Sequence, residues 1–425
     1  MIKLALVTRR YPPLIGGAEK VLSYLASALA VLGADVTVLT SQAPRSEQPP
    51  QGQLPIGAES PLTGEQMHSR GRLEVLRLET SPLRFWGTWL YMRNLRRWFR
   101  ENSVDLAYVS MLKHDAYAVI GAGEESGIPV ILRPEGAGAT GDVAWQSWGN
   151  FGRLIGLRCR RADAFVAISE AVARELEQSW RTGTLRPSWL LGAPDRAPVA
   201  PRIVAIPNGV PIPEPAWSPR ADWQQSPRAV FLGRLAPEKG LDTLIHAWPL
   251  VRQNYPHARL ILIGDGPERA NLEVGIGKLG LTLGPGRAVE FPGSVLDTRA
   301  PLREADLFVL PSREEGMSIA LLEAMALGVP LVASAIPGNR RLITDFVEGR
   351  LVPPDDPEAL ARVIIEQWEN YDRAIEMGRA ARSRVKREFS IQTVARKHLA
   401  LFHEILHERA QVAGAESENR ERPNE

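Results

Sequence analysis

Two acidic residues, Glu315 and Glu323, frame the segment Glu-Gly-Met-Ser-Ile-Ala-Leu-Leu-Glu with seven residues between them. Glu315 falls in a loop that follows an apolar run at 305–312. Glu323 falls inside a helical pattern over 318–327, which Gly328 and Pro330 close. In an open parallel sheet, ligands bind at the carboxyl ends of strands, and this loop sits at such an end. The backbone N–H groups of Gly316, Met317 and Ser318 would then point outward at a helix N-terminus, a ready anion site. One acid can meet the sugar end of a ligand and the other a ribose hydroxyl.

These residues need a framework, and the chain supplies one. Short apolar runs recur at 3–8, 35–40, 74–79, 105–110, 129–134, 164–169 and 202–207, then at 228–234, 258–264, 289–293, 305–312, 330–335 and 350–352. Many are continuous rather than alternating, as in strands buried on both faces of a parallel sheet. Helical patterns lie between them. Over 19–32, for example, Val21, Leu22, Leu25, Leu29 and Leu32 share one face before Gly33. The pattern predicts repeated βαβ units. At 425 residues, two domains of similar build are expected.

The predicted boundaries are an N-terminal Rossmann-like domain at 1–207, a linker at 208–227, a second Rossmann-like domain at 228–388, a helix at 389–410 crossing back to the first domain, and a disordered tail at 411–425. The linker reading rests on Asn208-Gly209 and on Pro211, Pro213, Pro215, Pro219 and Pro227. Segments 41–71 and 181–201 read as irregular excursions.

Composition excludes several classes. Formal charge is only +2, which gives no global case for nucleic acid. Residues 1–207 carry a balance of +5 and the remainder −3, so an acidic or membrane surface would meet the N-terminal half. Cys159 is the sole cysteine and cannot form an internal disulfide. No run reaches the ~18 apolar residues of a spanning helix, and a cytoplasmic location is expected. No two aspartates sit two apart, and His403 and His407 lack the intervening Glu of a metalloprotease helix. No metal and no cofactor are therefore expected, and His398, His403 and His407 read as surface histidines.

The segment from Glu315 to Pro330 resembles the Glu-x7-Glu motif of retaining nucleotide-sugar glycosyltransferases of family 4, which have the GT-B fold. The resemblance extends along the chain through Gly16-Gly17-Ala18-Glu19, Ile206-Pro207-Asn208-Gly209, Gly233-Arg234 to Lys239-Gly240, Gly264-Asp265-Gly266-Pro267, Phe291-Pro292-Gly293 and Leu351 to Pro354. Singly, such features are turns, helix formers or solvated charges. Their order and intervals are specific.

The resemblance implies two Rossmann-like domains facing across a cleft, with the acceptor on the first, the nucleotide on the second and a hinge near Asn208-Gly209. It implies transfer of a hexose-type sugar from a nucleoside-diphosphate donor to a hydroxyl of a sugar, glycan or lipid-linked acceptor. Arg234 can fork onto phosphate oxygens, and Lys239 supplies a compact charge. Gly16 and Gly17 let backbone approach the donor. By the same resemblance Glu323 holds the ribose and Glu315 faces the transferred sugar. Many members carry His or Asp after the fifth strand. Here the sequence is Arg133-Pro134-Glu135-Gly136, so Glu135 and Gly136 are the candidate sugar or acceptor contacts.

Two rivals and one ambiguous helix complete the reading. A catalytically silent nucleotide-sugar-binding protein is disfavoured by Arg234, Lys239, Glu315 and Glu323 occurring together. A dinucleotide-dependent oxidoreductase would use Gly136-x-Gly138-x-x-Gly141 or Gly275-x-Gly277-x-x-Gly280. The first lacks an acid at the end of the next strand, since Asp163 precedes that strand, and the second follows a helical stretch. Over 84–100, Tyr91, Met92, Leu95, Trp98 and Phe99 share one face and Arg93, Arg96, Arg97 and Arg100 the other. This is either a packing helix with a solvated basic face or a peripheral membrane contact serving a lipid-linked acceptor.

Overall fold

The computed structural model describes residues 1–12, 16–42, 71–81, 83–136, 138, 141–181 and 201–421. The predicted excursions lie almost wholly outside these residues, as do Ala137, Ala139 and Thr140 of the glycine-rich stretch. The chain divides into two units. Met1–Asn208 with the chain from Val394 onward form unit 1, and Gly209–Thr393 form unit 2.

Unit 1 holds seven strands, β1 (Lys3–Val7), β2 (Asp35–Ser41), β3 (Leu73–Leu78), β4 (Leu106–Ser110), β5 (Val130–Arg133), β6 (Ala164–Ala167) and β7 (Ile203–Ala205). Their order is β3-β2-β1-β4-β5-β6-β7, and every pairing is parallel. Crossovers are α1 (Gly17–Val31), α2 (Arg84–Glu101), α3 (His114–Ser126), α4 (Asp142–Trp148), α5 (Gly152–Cys159) and α6 (Glu170–Arg181). The central strands β4, β5 and β6 are buried throughout, because helices cover both faces.

Unit 2 repeats the plan with β8 (Arg228–Leu232), β9 (Arg259–Ile263), β10 (Val289–Gly293), β11 (Leu307–Leu310), β12 (Leu331–Ser334) and β13 (Arg350–Val352). Their order is β10-β9-β8-β11-β12-β13, again all parallel. Its helices are α7 (Leu241–Asn254), α8 (Arg269–Lys278), α9 (Arg299–Arg303), α10 (Ile319–Leu327), α11 (Pro337–Arg340), α12 (Pro357–Glu369) and α13 (Tyr371–Arg384). Strand order reverses between β1 and β4 in unit 1 and between β8 and β11 in unit 2. Loops diverge at such switch points and leave a crevice outside the carboxyl ends.

Every predicted strand is present, with ends within two residues of those expected. Three other expectations change. The proline-rich stretch after Asn208 is packed on unit 2 rather than loose. Trp217 is buried, its indole N–H donates to Ala305 O at 2.8 Å, and Arg220 pairs with the fully buried Asp306 at 2.7 Å. The stretch expected as a disordered tail continues α14 (Ile391–Glu421). Residues 411–421 contain one glycine and no proline, so nothing in them stops a helix already started. Within unit 1 that helix is held by Arg202 to Glu404 and Glu408 and by Arg409 to Asp163.

His398 is the third change. It is not a surface residue but lies on the buried side of α14, where its Nε2 is 3.0 Å from the Tyr108 hydroxyl. Burial, with Arg133 nearby, lowers its pKa from 6.5 to about 4 despite a hydrogen bond to Val394 O. The folded chain therefore resists a proton that the unfolded chain accepts. Stability from this site is complete above pH ~6.5 and is lost as pH falls towards ~4, by about 3 kcal/mol in all. His398→Gln is expected to flatten the fall of the unfolding midpoint over that window. An identical pH slope in the variant would exclude His398 as its source.

Candidate active site

In unit 2 the two loops that flank the switch point carry the charged residues. After β8 the chain passes Gly233 and Arg234, makes a short turn at Pro237–Lys239 and enters α7. After β11 it passes Ser312, Arg313 and Glu315 and enters α10. Lys239 Nζ donates to Glu315 Oε1 at 2.7 Å, and Ser312 Oγ donates to the same oxygen at 2.9 Å. The Glu315 side chain is only 9% exposed, so its charge requires these partners. Arg234 is exposed and, among the described residues, its guanidinium makes no ion pair.

A second residue, unseen in the sequence reading, fixes the two loops together. Arg313 donates to Pro237 O at 2.7 Å, to Asp242 at 2.7 Å and to Asp355 at 2.6 Å, while its backbone N–H donates to Glu238 O at 2.8 Å. No sequence pattern distinguishes it from a solvated arginine. Its neighbour Ser312 adjoins the motif and could have been inferred from the need of a buried carboxylate for donors.

α10 is apolar on every side and buried from Leu321 to Leu327, with Glu323 in its middle. Ser318 caps its N-terminus by accepting the Leu321 N–H. Gly316 is half-buried and Met317 buried at the turn into the helix. Glu323 Oε2 accepts the Thr298 hydroxyl at 3.0 Å. Thr298 lies 25 residues earlier, beyond any local signal.

Two glycines show why this loop geometry demands its sequence. Gly240 has φ +61°, and a β-carbon there would lie 2.2 Å from Pro311 O. Gly264, after β9, has φ +137°, and a β-carbon there would lie 1.8 Å from Gly233 O. The loops after β8, β9 and β11 thus touch backbone to backbone.

In unit 1, Gly16 precedes α1, and Glu19 on its first turn is buried and paired with Arg10 at 2.9 Å. Burial raises the Glu19 carboxyl, against Arg10. Across the switch point from β1, Arg9 faces Asp115 at 3.7 Å, and burial holds the Asp115 pKa up at about 6. Glu135 follows β5 with Gly136 beside it. Its carboxylate accepts from Ser110 Oγ and from the buried Arg133, and its N–H donates to Asp142 at 2.7 Å. Sequence reasoning missed Arg133, although an arginine closing an apolar strand was a signal. The dinucleotide reading finds no support in the acid proposed for it. Asp163 lies at the amino end of β6, where it accepts from Val130 N and Arg409.

The fold class these features define is the GT-B fold. HepE of Anabaena, solved with UDP and glucose, superposes with a TM-score of 0.70 over 95% of this chain and 100% of that one, at 19% identity. Residues 15–183 match the profile of Glycosyltransferase Family 4, and residues 226–370 that of Glycosyl transferases group 1. The chain belongs to the family 4 type of glycosyltransferases.

Among its relatives is the GDP-mannose-dependent alpha-(1-6)-phosphatidylinositol monomannoside mannosyltransferase of Mycobacterium tuberculosis, 33% identical over 41% of this chain and 46% of that protein. The glycogen synthase of the same organism is 26% identical over 93% and 92%. The chain spans less than half the length of the first curated relatives it matches.

The contact at Gly240 generates a prediction. Gly240→Ala adds a β-carbon against a backbone oxygen in a left-handed conformation, at a cost of about 2 kcal/mol or more. The unfolding midpoint of unit 2 in denaturant should fall accordingly. An unchanged midpoint would mean that the two loops are not in backbone contact.

Proposed function

We propose that the protein is a retaining glycosyltransferase that moves a hexose-type sugar from a nucleoside diphosphate to a hydroxyl acceptor. The setting is glycan, polysaccharide or glycolipid synthesis in the cytoplasm. The observation that carries this reading is the convergence of Arg234, Lys239 and Glu315 on one switch point, in a chain of this family. Lys239 has three N–H donors, of which Glu315 takes one. The others remain for phosphate oxygens, with Arg234 as a second cation and the Gly316, Met317 and Ser318 backbone beside them. Glu323 holds the ribose, and Gly16 and Gly17 leave room for the donor on unit 1.

In this reaction the bond from the anomeric carbon to the phosphate oxygen breaks, and a bond to the acceptor oxygen forms on the same face. The acceptor proton passes to the departing phosphate, so no protein base is required. Glu315 stabilises the positive charge that develops on the sugar. Glu135, with Gly136, takes the place of the usual histidine or aspartate towards sugar or acceptor. Neither cofactor nor divalent metal enters the scheme.

Arg234→Ala should weaken nucleoside-diphosphate binding by about 10–150-fold, the loss of one charge-assisted contact of ~1.5–3 kcal/mol. Lys239→Ala should do the same, though it also leaves Glu315 with Ser312 alone. Calorimetric titration decides the matter, and unchanged affinity in both variants removes the phosphate clamp.

The two glutamates should separate kinetically. Glu323→Gln is expected to raise the donor KM more than it lowers kcat, since binding shared by ground and transition states does not speed chemistry. Glu315→Gln is expected to lower kcat with little change in nucleotide affinity. Steady-state rates in excess chelator make the measurement. Full turnover in Glu315→Gln would end its catalytic assignment, and turnover that requires added magnesium or manganese would end the metal-free scheme.

A further inference from the structure

Among the described residues, the carboxyl edge of the unit 1 sheet carries exposed aromatic side chains to which the proposed sugar transfer assigns no role. α2 returns from the end of β3, so its first turns lie at that edge. There Phe85, Trp86 and Trp89 are 66%, 55% and 48% exposed, whereas Tyr91, Leu95 and Phe99 further along are buried. The three rings meet edge to face, with successive centroids 5.9 Å apart. The packing face read from Tyr91 onward is thus buried, and the exposed rings precede it.

A second aromatic group stands at the same edge. α4 ends and α5 begins there, and Trp148 and Phe151 are 67% and 65% exposed. α2 packs on α3, and α3 packs on α5. Two hydrogen bonds fix both groups at the strand ends. Arg9, just past β1, donates to Thr88 at 3.0 Å, and Gln146 donates to Leu112 O, just past β4, at 3.1 Å.

The outward charges between them are mainly basic, although Glu79, just past β3, is exposed. No acid occurs from Arg84 to Arg100. Arg93 lies over the Trp89 ring at 5.5 Å, Lys113 over the Trp145 ring at 5.6 Å, and Arg153 is exposed. Three other acids here are held inward: Asp115 and Asp142 are buried beside Arg9 and Lys113, and Glu135 accepts from the buried Arg133. Burial, then Arg9 and Lys113, lower the pKa of the half-buried His114 between them.

Tryptophan favours the bilayer–water interface, and arginine favours the surface potential of anionic lipid. We propose that this rim, the start of α2 together with the α4–α5 turn, seats the protein on an anionic lipid bilayer. A protein partner would have to bring acids to these arginines and is the outcome the test must separate. A hydroxyl acceptor carried in that bilayer would then meet the carboxyl edge beside Glu135. That extension rests on the transferase reading, whereas the docking does not.

The experiment is flotation of the full chain with phosphatidylcholine vesicles, with and without phosphatidylglycerol. The protein should float only with the anionic vesicles and be released by salt. Trp86→Ser with Trp89→Ser, and separately Trp148→Ser, should each weaken binding about tenfold, and Arg93→Ser about fivefold. The unfolding midpoint and circular dichroism spectrum should stay at the wild-type values in all of them, which excludes misfolding of unit 1. Absence of flotation, or flotation unaltered in both tryptophan variants, overturns the proposal. So does a change from oligomer to monomer in those variants without vesicle binding. Intact flotation in a protein that turns over no nucleotide sugar would remove only the lipid-borne acceptor.

Discussion

Each sheet reverses its strand order once, and at each reversal one ion pair joins the two diverging loops. In unit 2 it is Lys239 to Glu315 at 2.7 Å, and in unit 1 Arg9 to Asp115 at 3.7 Å. In both pairs the acid is the more deeply buried partner. A buried carboxylate without a cation is costly, so the acid compels the cation from the neighbouring loop to stay. The crevice that a parallel sheet opens at its switch point is thereby given fixed walls. The loops that bear Arg234, Gly316, Met317 and Ser318 depend on that tie, and Arg313 reinforces it from the outside with contacts to Pro237, Asp242 and Asp355.

The framework was readable because it is repetitive and apolar. Among the described residues the strands are apolar runs, many of them continuous, which leaves one arrangement, parallel and covered by helices, and the structure follows it. The residues that hold the site were less readable because their partners are remote. Thr298 reaches Glu323 across 25 residues and Arg313 reaches Asp242 across 71, and no local periodicity records such meetings. His398 was misread for a related reason. Arg396 and Lys397 precede it, but Val394, Ala395, Leu401 and Phe402 share its helix face, and α14 turns that face against Tyr108, 290 residues away. The tail was misread from composition alone, which does not see the ion pairs that start the helix.

Glu323 shows how a single polar atom survives in an apolar helix. From Leu321 to Leu327 every other residue of α10 is hydrophobic and buried. Helix propensity explains a glutamate on a surface, not one in this position. With the Thr298 hydroxyl on one oxygen, the carboxylate has a fixed rotamer and further acceptor capacity. Such a group suits a ligand with hydroxyls to donate.

In unit 1 the same logic reaches the end of the domain. Arg133 is 2% exposed and donates both to Glu135 and to Asn208, where the first segment of that unit ends. Ser110 and Asp142 hold Glu135 from two further sides. One guanidinium thus fixes the acid that follows β5 and the point where the chain leaves the unit. A buried arginine cannot shed its proton, so releasing Glu135 would leave its charge unmatched and releasing Asn208 would leave a buried N–H donor without that acceptor. Displacement of Asn208 would therefore be felt at Glu135, and fixing of Glu135 by a ligand would be felt at Asn208. The departure from the family pattern at Glu135 is then more than a change of one contact. It ties Glu135, at the carboxyl end of β5, to the residue at which one sheet hands the chain to the other.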